Sequence, residues 1–203
     1  MKENNWFDPF YIQSHLSEEE SNIQKNVRDF CNNELKPTVV ERNRKNEFDQ
    51  DLYPKFGSLG VLGQTVKTHG GSGTSNLAYG LVAYEFEKID SSYRSSISVQ
   101  SSLVIHPINE FGSQEQKDKY LPPLIKGEKI GCFGLTESEA GSDPTSMKTS
   151  FKKTKDGYIL NGSKNWITNA PIADIFIIWA IEENKDHKSI KGFIIEKNTK
   201  GLN

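Results

Sequence analysis

Residues Cys132 to Asp143 read CFGLTESEAGSD and carry the strongest local signal in the sequence. It begins as a short apolar run, typical of a buried strand, and continues as a loop of small and polar residues. A loop of this composition exposes backbone N–H groups to a ligand rather than to a core. The sequence therefore predicts a strand that leads into a binding loop.

A second segment of similar character runs from Asn161 to Asn169 and reads NGSKNWITN. Its Asn161-Gly162 pair predicts a hairpin turn, and Trp166 stands among hydrogen-bonding residues after that turn. Two interpretations of Trp166 are open. It is either a platform for a flat cofactor or a tryptophan of the core.

The residues before these segments read as helices. Ser17 with Glu20, and Ser113 with Gln116, are capping-box pairs that predict two helix starts. Prolines 122 and 123 are expected to end the second of these helices. The glycine-rich stretch 69–74 lacks the Gly-Lys-Ser/Thr ending of a phosphate-binding loop, so we interpret it as a connection in which Thr74 caps the next helix.

Strands dominate after residue 128. Short apolar runs at 158–160, 175–181 and 192–196 are bounded by turn residues. Helices followed by strands predict an α+β protein. We assign residues 1–128 to an all-α domain and residues 129–203 to an antiparallel β domain.

Composition excludes several classes of function. The chain has 203 residues, with 25 basic and 27 acidic side chains and a net charge of −2, which gives no electrostatic case for nucleic acid or an anionic membrane. No apolar run reaches the length of about 18 residues that a membrane helix needs. The four histidines show no metal-ligand spacing, so no metal site is expected. Cys31 and Cys132 are far apart and are expected to be buried thiols.

Arg94 is the most informative charged residue. It is one of only four arginines beside 21 lysines, and it stands among serines that include Ser95. A planar guanidinium next to hydroxyl groups suits the capture of a carboxylate through two hydrogen bonds. A surface arginine beside a serine-rich helix start fits the same pattern, and the residues alone leave both readings open.

Taken together, LTE…GSDP at 135–144, NGSKxWITN at 161–169 and GSxEQKxxYLP at 112–122 resemble the acyl-CoA dehydrogenase family. The resemblance covers residues 16–202. Within the family, DSSYRS at 90–95 and SVQSSLV at 98–104 are similar to the glutaryl-CoA dehydrogenases. There, an Arg-Ser pair at the positions of Arg94 and Ser95 holds the far carboxylate of the substrate.

The resemblance implies FAD-dependent α,β-dehydrogenation of an acyl-CoA, here glutaryl-CoA with decarboxylation to crotonyl-CoA, a reaction of lysine and tryptophan degradation. It assigns the flavin site to residues of the two segments and puts Ser142 near the thioester chain as well. The flavin-binding residues would be Phe133, Gly134, Leu135, Thr136, Gly141, Ser142, Trp166, Ile167 and Thr168.

The resemblance also implies parts that this chain does not contain. Family members carry a C-terminal helical domain with the catalytic glutamate, so the β domain is expected to be incomplete and the base to lie beyond Asn203. The chain alone is expected to be inactive. Electron-transfer flavoprotein is the expected electron acceptor and a homotetramer the expected assembly of the full-length protein.

Other readings remain. The chain is alternatively a non-catalytic truncated remnant, or an acyl-CoA dehydrogenase or oxidase of other chain specificity. The first twenty residues show neither a signal peptide nor a basic transit peptide, which favours a bacterial cytoplasm, or the mitochondrial matrix for a eukaryotic protein.

Overall fold

A computed structural model describes residues 8–203, which form a helical region followed by a small sheet. The α+β class predicted from the sequence is confirmed. The helices are α1 (Glu18–Phe30), α2 (Val39–Lys45), α3 (Leu52–Ser58), α4 (Asn76–Glu87), α5 (Ser91–Ser98), α6 (His106–Phe111) and α7 (Gln114–Ile125). Two π-helical segments, Cys31–Leu35 and Val99–Ile105, continue α1 and join α5 to α6.

Both predicted capping boxes are present. At the start of α1 the Glu20 N–H donates to the Ser17 hydroxyl at 3.2 Å, and the Ser17 N–H donates to the Glu20 carboxylate at 3.0 Å. Ser113 and Gln116 make the same reciprocal pair at the start of α7. Each box satisfies two N–H groups that a helix start would otherwise leave without partners.

The helices pack around an aromatic centre. The rings of Phe56 and Phe86 meet edge to face, with centroids 5.4 Å apart, and Phe30 lies 6.0 Å from Phe56. The same continuous core reaches the sheet through Ile175 and Ile177, which are almost fully buried. Helices and sheet therefore share one apolar core, which fixes their relative position.

One carboxylate lies inside the helical core. Glu85 of α4 is 2% exposed and accepts hydrogen bonds from Gln24 Nε2 at 2.9 Å and Arg28 Nη2 at 2.9 Å. Lys88 reaches its other oxygen at 3.3 Å. A buried charge is tolerated only when it is paired and hydrogen-bonded in this way, so these contacts lock α1 against α4.

The sheet is built around one long strand. Its members are β1 (Gly131–Gly134), β2 (Ser150–Thr154), β3 (Gly157–Asn161), β4 (Ile175–Glu182) and β5 (Lys191–Glu196). Strand β4 pairs with β1, β5 and β2, while β3 pairs with β2 as a hairpin. Because β4 is central, its first residues are buried against the helices.

The sheet is mixed, whereas the sequence predicted an antiparallel one. Within residues 8–203, β2–β3 and β4–β5 are antiparallel, but β1–β4 and β2–β4 are parallel, with Gly131 opposite Ile175. The chain makes a long excursion through the hairpin between β1 and β4 and returns in its original direction. A connection of that length allows parallel pairing, which a tight turn does not.

Three local predictions are wrong. Prolines 122 and 123 lie inside α7, and the helix continues past them: the Lys126 N–H donates to the Pro122 carbonyl at 3.1 Å and the Glu128 N–H to the Pro123 carbonyl at 2.9 Å. Ser75 rather than Thr74 caps α4, with the Ala78 N–H donating to its hydroxyl at 3.0 Å. The Asn161-Gly162 pair ends β3 and leads into a loop instead of a hairpin.

Over residues 8–203, no helix has both the length and the apolar character needed to cross a membrane.

Gly131 marks the closest approach of sheet and helix. A Cβ at this position would lie 2.5 Å from Val104 Cγ1, whereas a Cβ at Gly80 in α4 would meet nothing within 4 Å. We expect Gly131→Ala to lower the free energy of unfolding by about 1–3 kcal/mol through overpacking. The control Gly80→Ala should raise it by about 0.5–1 kcal/mol. Urea unfolding of both variants is the measurement, and equal shifts would contradict this packing.

Candidate functional site

The first loop (residues 135–143) and the second segment (residues 161–169) lie side by side. The Asn165 N–H donates to the Thr136 carbonyl at 2.9 Å. The ammonium group of Lys164 donates to the Leu135 carbonyl at 3.0 Å. The two stretches that the sequence singled out therefore form one surface.

A buried ion pair holds this surface together. Lys164 Nζ lies 2.7 Å from Glu137 Oε1, and the two side chains are 7% and 8% exposed. Glu137 also accepts the N–H groups of Lys148 at 2.7 Å and Thr149 at 3.0 Å. One carboxylate thus joins the first loop, the second segment and the start of β2.

These contacts decide the protonation state of Glu137. Burial by itself raises the pKa of the carboxyl group, but the hydrogen bonds from Lys164 and Thr149 and from the Lys148 N–H outweigh burial and lower the pKa to about 2. Glu137 is therefore ionised at neutral pH. A carboxylate with so low a pKa is a poor proton acceptor, so its role is to hold the loop.

Trp166 projects from the joined segments into solvent. Its side chain is 95% exposed, which rules out the alternative that it belongs to the core. Its backbone φ is +59°, in the left-handed region that is strained for a bulky residue. No aromatic or hydrogen-bond contact within residues 8–203 covers the indole, whereas a flat ligand stacked on it would account for its exposure.

Two hydroxyl groups flank this aromatic surface. Thr136 and Thr168 are half-buried, and neither side chain makes a hydrogen bond with any residue from 8 to 203. Gly141 and Ser142 are exposed at the far side of the first loop. These groups are available to hydrogen-bond a ligand lying against Trp166.

The remaining predicted residues of this site are partly enclosed. Phe133 is half-buried and packs edge to face on Trp179, with ring centroids 5.9 Å apart. Gly134 is buried, and a Cβ there would lie 2.5 Å from Ile178 Cδ1. Leu135 and Ile167 are half-buried. The strand end is thus fixed by packing, while the loop after it faces outward.

Arg94 and Ser95 lie on α5. Arg94 Nε donates to Glu87 Oε2 at 2.7 Å, and the arginine side chain is 40% exposed. The hydrogen bond from Arg94, followed by one from Ser91, lowers the pKa of Glu87. Among residues 8–203, neither Arg94 nor Ser95 is hydrogen-bonded to the first loop or the second segment.

The sequence reasoning missed the residues that assemble the site. Lys164 and Asn169 stand in the second segment without an assigned role, and Glu137 was given none. Asn169 Nδ2 donates to the carbonyls of Gly131 at 3.2 Å and Ser96 at 3.4 Å. A lysine and a glutamate within two short polar motifs are the signal that could have suggested the ion pair.

Other reactive groups offer no competing site. Burial raises the pKa of the Cys31 and Cys132 thiols to about 12, so both stay protonated and unreactive. Across the part of the chain that the structure describes, no three His, Cys, Asp or Glu side chains are grouped as metal ligands would be.

Comparison with known proteins agrees with this geometry. The family model for the acyl-CoA dehydrogenase N-terminal domain matches residues 17–128, and that for the middle domain matches residues 132–203. The chain belongs to the acyl-CoA dehydrogenase family. The predicted resemblance is confirmed.

Among its curated relatives is the short-chain-specific acyl-CoA dehydrogenase of Clostridium acetobutylicum, 40% identical over 93% of this chain and 50% of the relative. Mitochondrial isovaleryl-CoA dehydrogenase of Pongo abelii is 39% identical over 92% of this chain and 46% of the relative. The chain spans about half the length of the curated relatives it matches.

Solved acyl-CoA dehydrogenases superpose closely. Glutaryl-CoA dehydrogenase of Mycobacterium smegmatis in complex with FADH2 has a TM-score of 0.91 and 40% identity over 96% of this chain and 49% of that structure. Butyryl-CoA dehydrogenase of Megasphaera elsdenii has a TM-score of 0.84 and 39% identity over 92% of this chain and 50% of that structure. Relatives of different acyl specificity share nearly the same sequence identity with this chain, 39–40%, so family membership alone does not select a substrate.

The ion pair predicts a pH dependence of stability. Because the folded-state pKa of Glu137 is depressed to about 2 from 4.5, its contribution is complete above pH 4.5 and is lost as the pH falls toward 2. The measurement is urea unfolding of wild type and Glu137→Gln at several pH values. We expect the stability difference between them to shrink by about 2–3 kcal/mol over this range.

The exposed Glu139 supplies the matched control, because Glu139→Gln removes a carboxylate two residues away that is not buried. Its stability difference from wild type should stay small at every pH. Parallel pH curves for wild type and Glu137→Gln would contradict the assignment of a structural charge to Glu137.

Proposed function

We propose that this chain forms the FAD-binding part of an acyl-CoA dehydrogenase whose substrate is glutaryl-CoA. The observation that carries the proposal is Trp166, exposed and strained beside two threonine hydroxyls that have no partner within residues 8–203. A protein retains such strain when function requires it. The residues present fit a flat, hydrogen-bonding cofactor such as the isoalloxazine ring.

Each residue of the surface then has a distinct task. Trp166 and Ile167 would provide the apolar face for the ring. The Thr136 hydroxyl would hydrogen-bond the ring near N5, and the Thr168 hydroxyl would serve the pyrophosphate side. Backbone from Phe133 to Leu135 would hold the pyrimidine end of the ring.

The outer turn of the first loop serves the substrate side. Gly141, without a side chain, lets the backbone approach the flavin, and Ser142 lies toward the thioester chain. A bound FAD would supply the acceptor for the hydride from the β-carbon of the acyl group, and a base would remove the α-proton. Glu137 is unsuited to be that base because its pKa is about 2, which agrees with a base outside this chain.

Arg94 is proposed to hold the far carboxylate of glutaryl-CoA. Glu87 occupies its Nε at 2.7 Å and so fixes the guanidinium plane. The two Nη groups remain to form parallel hydrogen bonds with a carboxylate, and Ser95 adds a neutral donor.

Partners follow from the same proposal. We propose electron-transfer flavoprotein as the electron acceptor, supported by a structural neighbour described as the electron transferring flavoprotein of Acidaminococcus fermentans, with a TM-score of 0.85 and 37% identity. A homotetramer stays a prediction for the full-length protein. So does a location in a bacterial cytoplasm or, for a eukaryotic protein, the mitochondrial matrix.

A second candidate is dehydrogenation of an unbranched short-chain acyl-CoA. The similarity to short-chain-specific relatives favours it. In that case the Arg94–Glu87 pair is a surface ion pair without a role in substrate choice.

The flavin site is tested by Trp166→Asn in the full-length gene product. Asparagine tolerates the left-handed backbone, so the ligand-free protein should be at least as stable as wild type. FAD affinity should fall at least about fivefold, because stacking on an aromatic ring contributes about 1–3 kcal/mol. Flavin fluorescence titration and thermal melting are the measurements. Unchanged FAD affinity would reject the site.

Substrate choice is tested by Arg94→Gln and Arg94→Lys. Loss of the bidentate contact should lower kcat/KM for glutaryl-CoA by about a hundredfold in both, because lysine keeps the charge but lacks the planar fork. Turnover of butyryl-CoA, which has no far carboxylate, should change much less. The control Arg44→Gln removes an exposed arginine elsewhere and should change neither. An equal loss for both substrates in the Arg94 variants would favour the second candidate.

A further inference from the structure

Both polar groups of one residue on β1 are held by buried side-chain amides. The Gly131 N–H donates to Gln100 Oε1 at 2.7 Å, and the Gly131 carbonyl accepts from Asn169 Nδ2 at 3.2 Å. The third side of Gly131 presses on Val104 so closely that no side chain fits. Since β1 leads directly into the first loop, the contacts that hold Gly131 in place also hold the start of that loop.

Gln100 has no freedom to move. It is fully buried, and its Nε2 donates to the Leu124 and Lys129 carbonyls, both at 2.9 Å. All its hydrogen bonds therefore hold β1 and the end of α7. Gln100 stands on the π-helical segment that continues α5, the helix that carries Arg94. π-Helical turns are often found beside functional sites.

Asn169 makes the corresponding link from the other side. It is 8% exposed and ends the second segment with a backbone φ of +69°. Besides Gly131, its amide reaches the carbonyl of Ser96 at 3.4 Å, one residue beyond Ser95. A single side chain thus bridges the second segment, β1 and α5.

We propose that Gln100 and Asn169 are positioning residues. They set the distance between Arg94 and the first loop, and thereby select the length of the substrate's acyl chain. The inference rests on the proposed function. A dicarboxylic acyl-CoA must place its thioester end at the loop and its carboxylate at Arg94. The number of methylene groups between them has to match the separation of β1 and α5, which these two amides fix.

The variants separate this role from general stability. Gln100→Met keeps the volume but removes every hydrogen bond. Asn169→Gly removes the side-chain amide, and glycine adopts the left-handed backbone without strain. The variant therefore tests the loss of the hydrogen bonds without a change in backbone conformation. The matched control is Ser101→Ala. Ser101 lies on the same π-helical segment, but its hydroxyl accepts the Gly63 N–H at 3.1 Å and makes no hydrogen bond with β1.

The test uses the FAD-loaded full-length gene product and three unreactive probes, the CoA thioethers that carry the carboxyalkyl chains of succinyl-, glutaryl- and adipyl-CoA. Dissociation constants are measured by calorimetry and by the change in the flavin absorption spectrum. Displacements of about 1 Å can change an interaction on the order of a hundredfold. We expect the wild-type preference for the glutaryl length to fall at least about fivefold in Gln100→Met and in Asn169→Gly.

Ser101→Ala should lower thermal stability and leave the preference unchanged. A preference that stays at the wild-type value in Gln100→Met and in Asn169→Gly would overturn the inference while leaving the proposed function standing. A fourth probe, the butyl-CoA thioether, lacks the far carboxylate. A wild-type protein that binds the glutaryl probe no better than this one would overturn the proposed glutaryl-CoA specificity, and this inference with it.

Discussion

The candidate site depends on the buried contact between Lys164 and Glu137. The two residues come from different segments, and neither segment has regular secondary structure at this point. Loops without an apolar interior need directed contacts to hold one conformation. The pair supplies them, because Lys164 also donates to the Leu135 carbonyl and Glu137 accepts the backbone N–H groups of Lys148 and Thr149, just before β2. Removing either partner would leave a buried charge uncompensated, which typically costs about 3–5 kcal/mol.

A rigid base allows the residues above it to remain exposed and strained. Trp166 follows Lys164 by two positions, and its unfavourable backbone is tolerated because the residues around it are anchored. Buried and exposed polar groups are divided in the same way near α5, where the Gln100 and Asn169 amides are buried and the Arg94 side chain is accessible. The buried polar side chains hold the backbone in place, and the exposed side chains on that backbone remain free to bind a ligand.

The sequence predicted what local chemistry determines. The two capping boxes were identified because Ser and Glu or Gln three residues apart complete a motif by themselves. The direction of β4 relative to β1 could not be predicted, because it depends on a connection of some forty residues that no local pattern describes. Likewise, Glu137 and Lys164 are 27 residues apart, and Asn169 and Ser96 are 73 apart. The predicted site residues of the two segments lie together, but the residues that bring them together emerged only from the fold.

A crystal structure of the full-length gene product with FAD bound would test the role of Trp166 directly. We expect the isoalloxazine ring to pack on the Trp166 indole, with the Thr136 hydroxyl within hydrogen-bonding distance of the ring and the Lys164–Glu137 pair intact beneath it. A flavin bound elsewhere, or a Trp166 turned away from it into the core, would rule this site out.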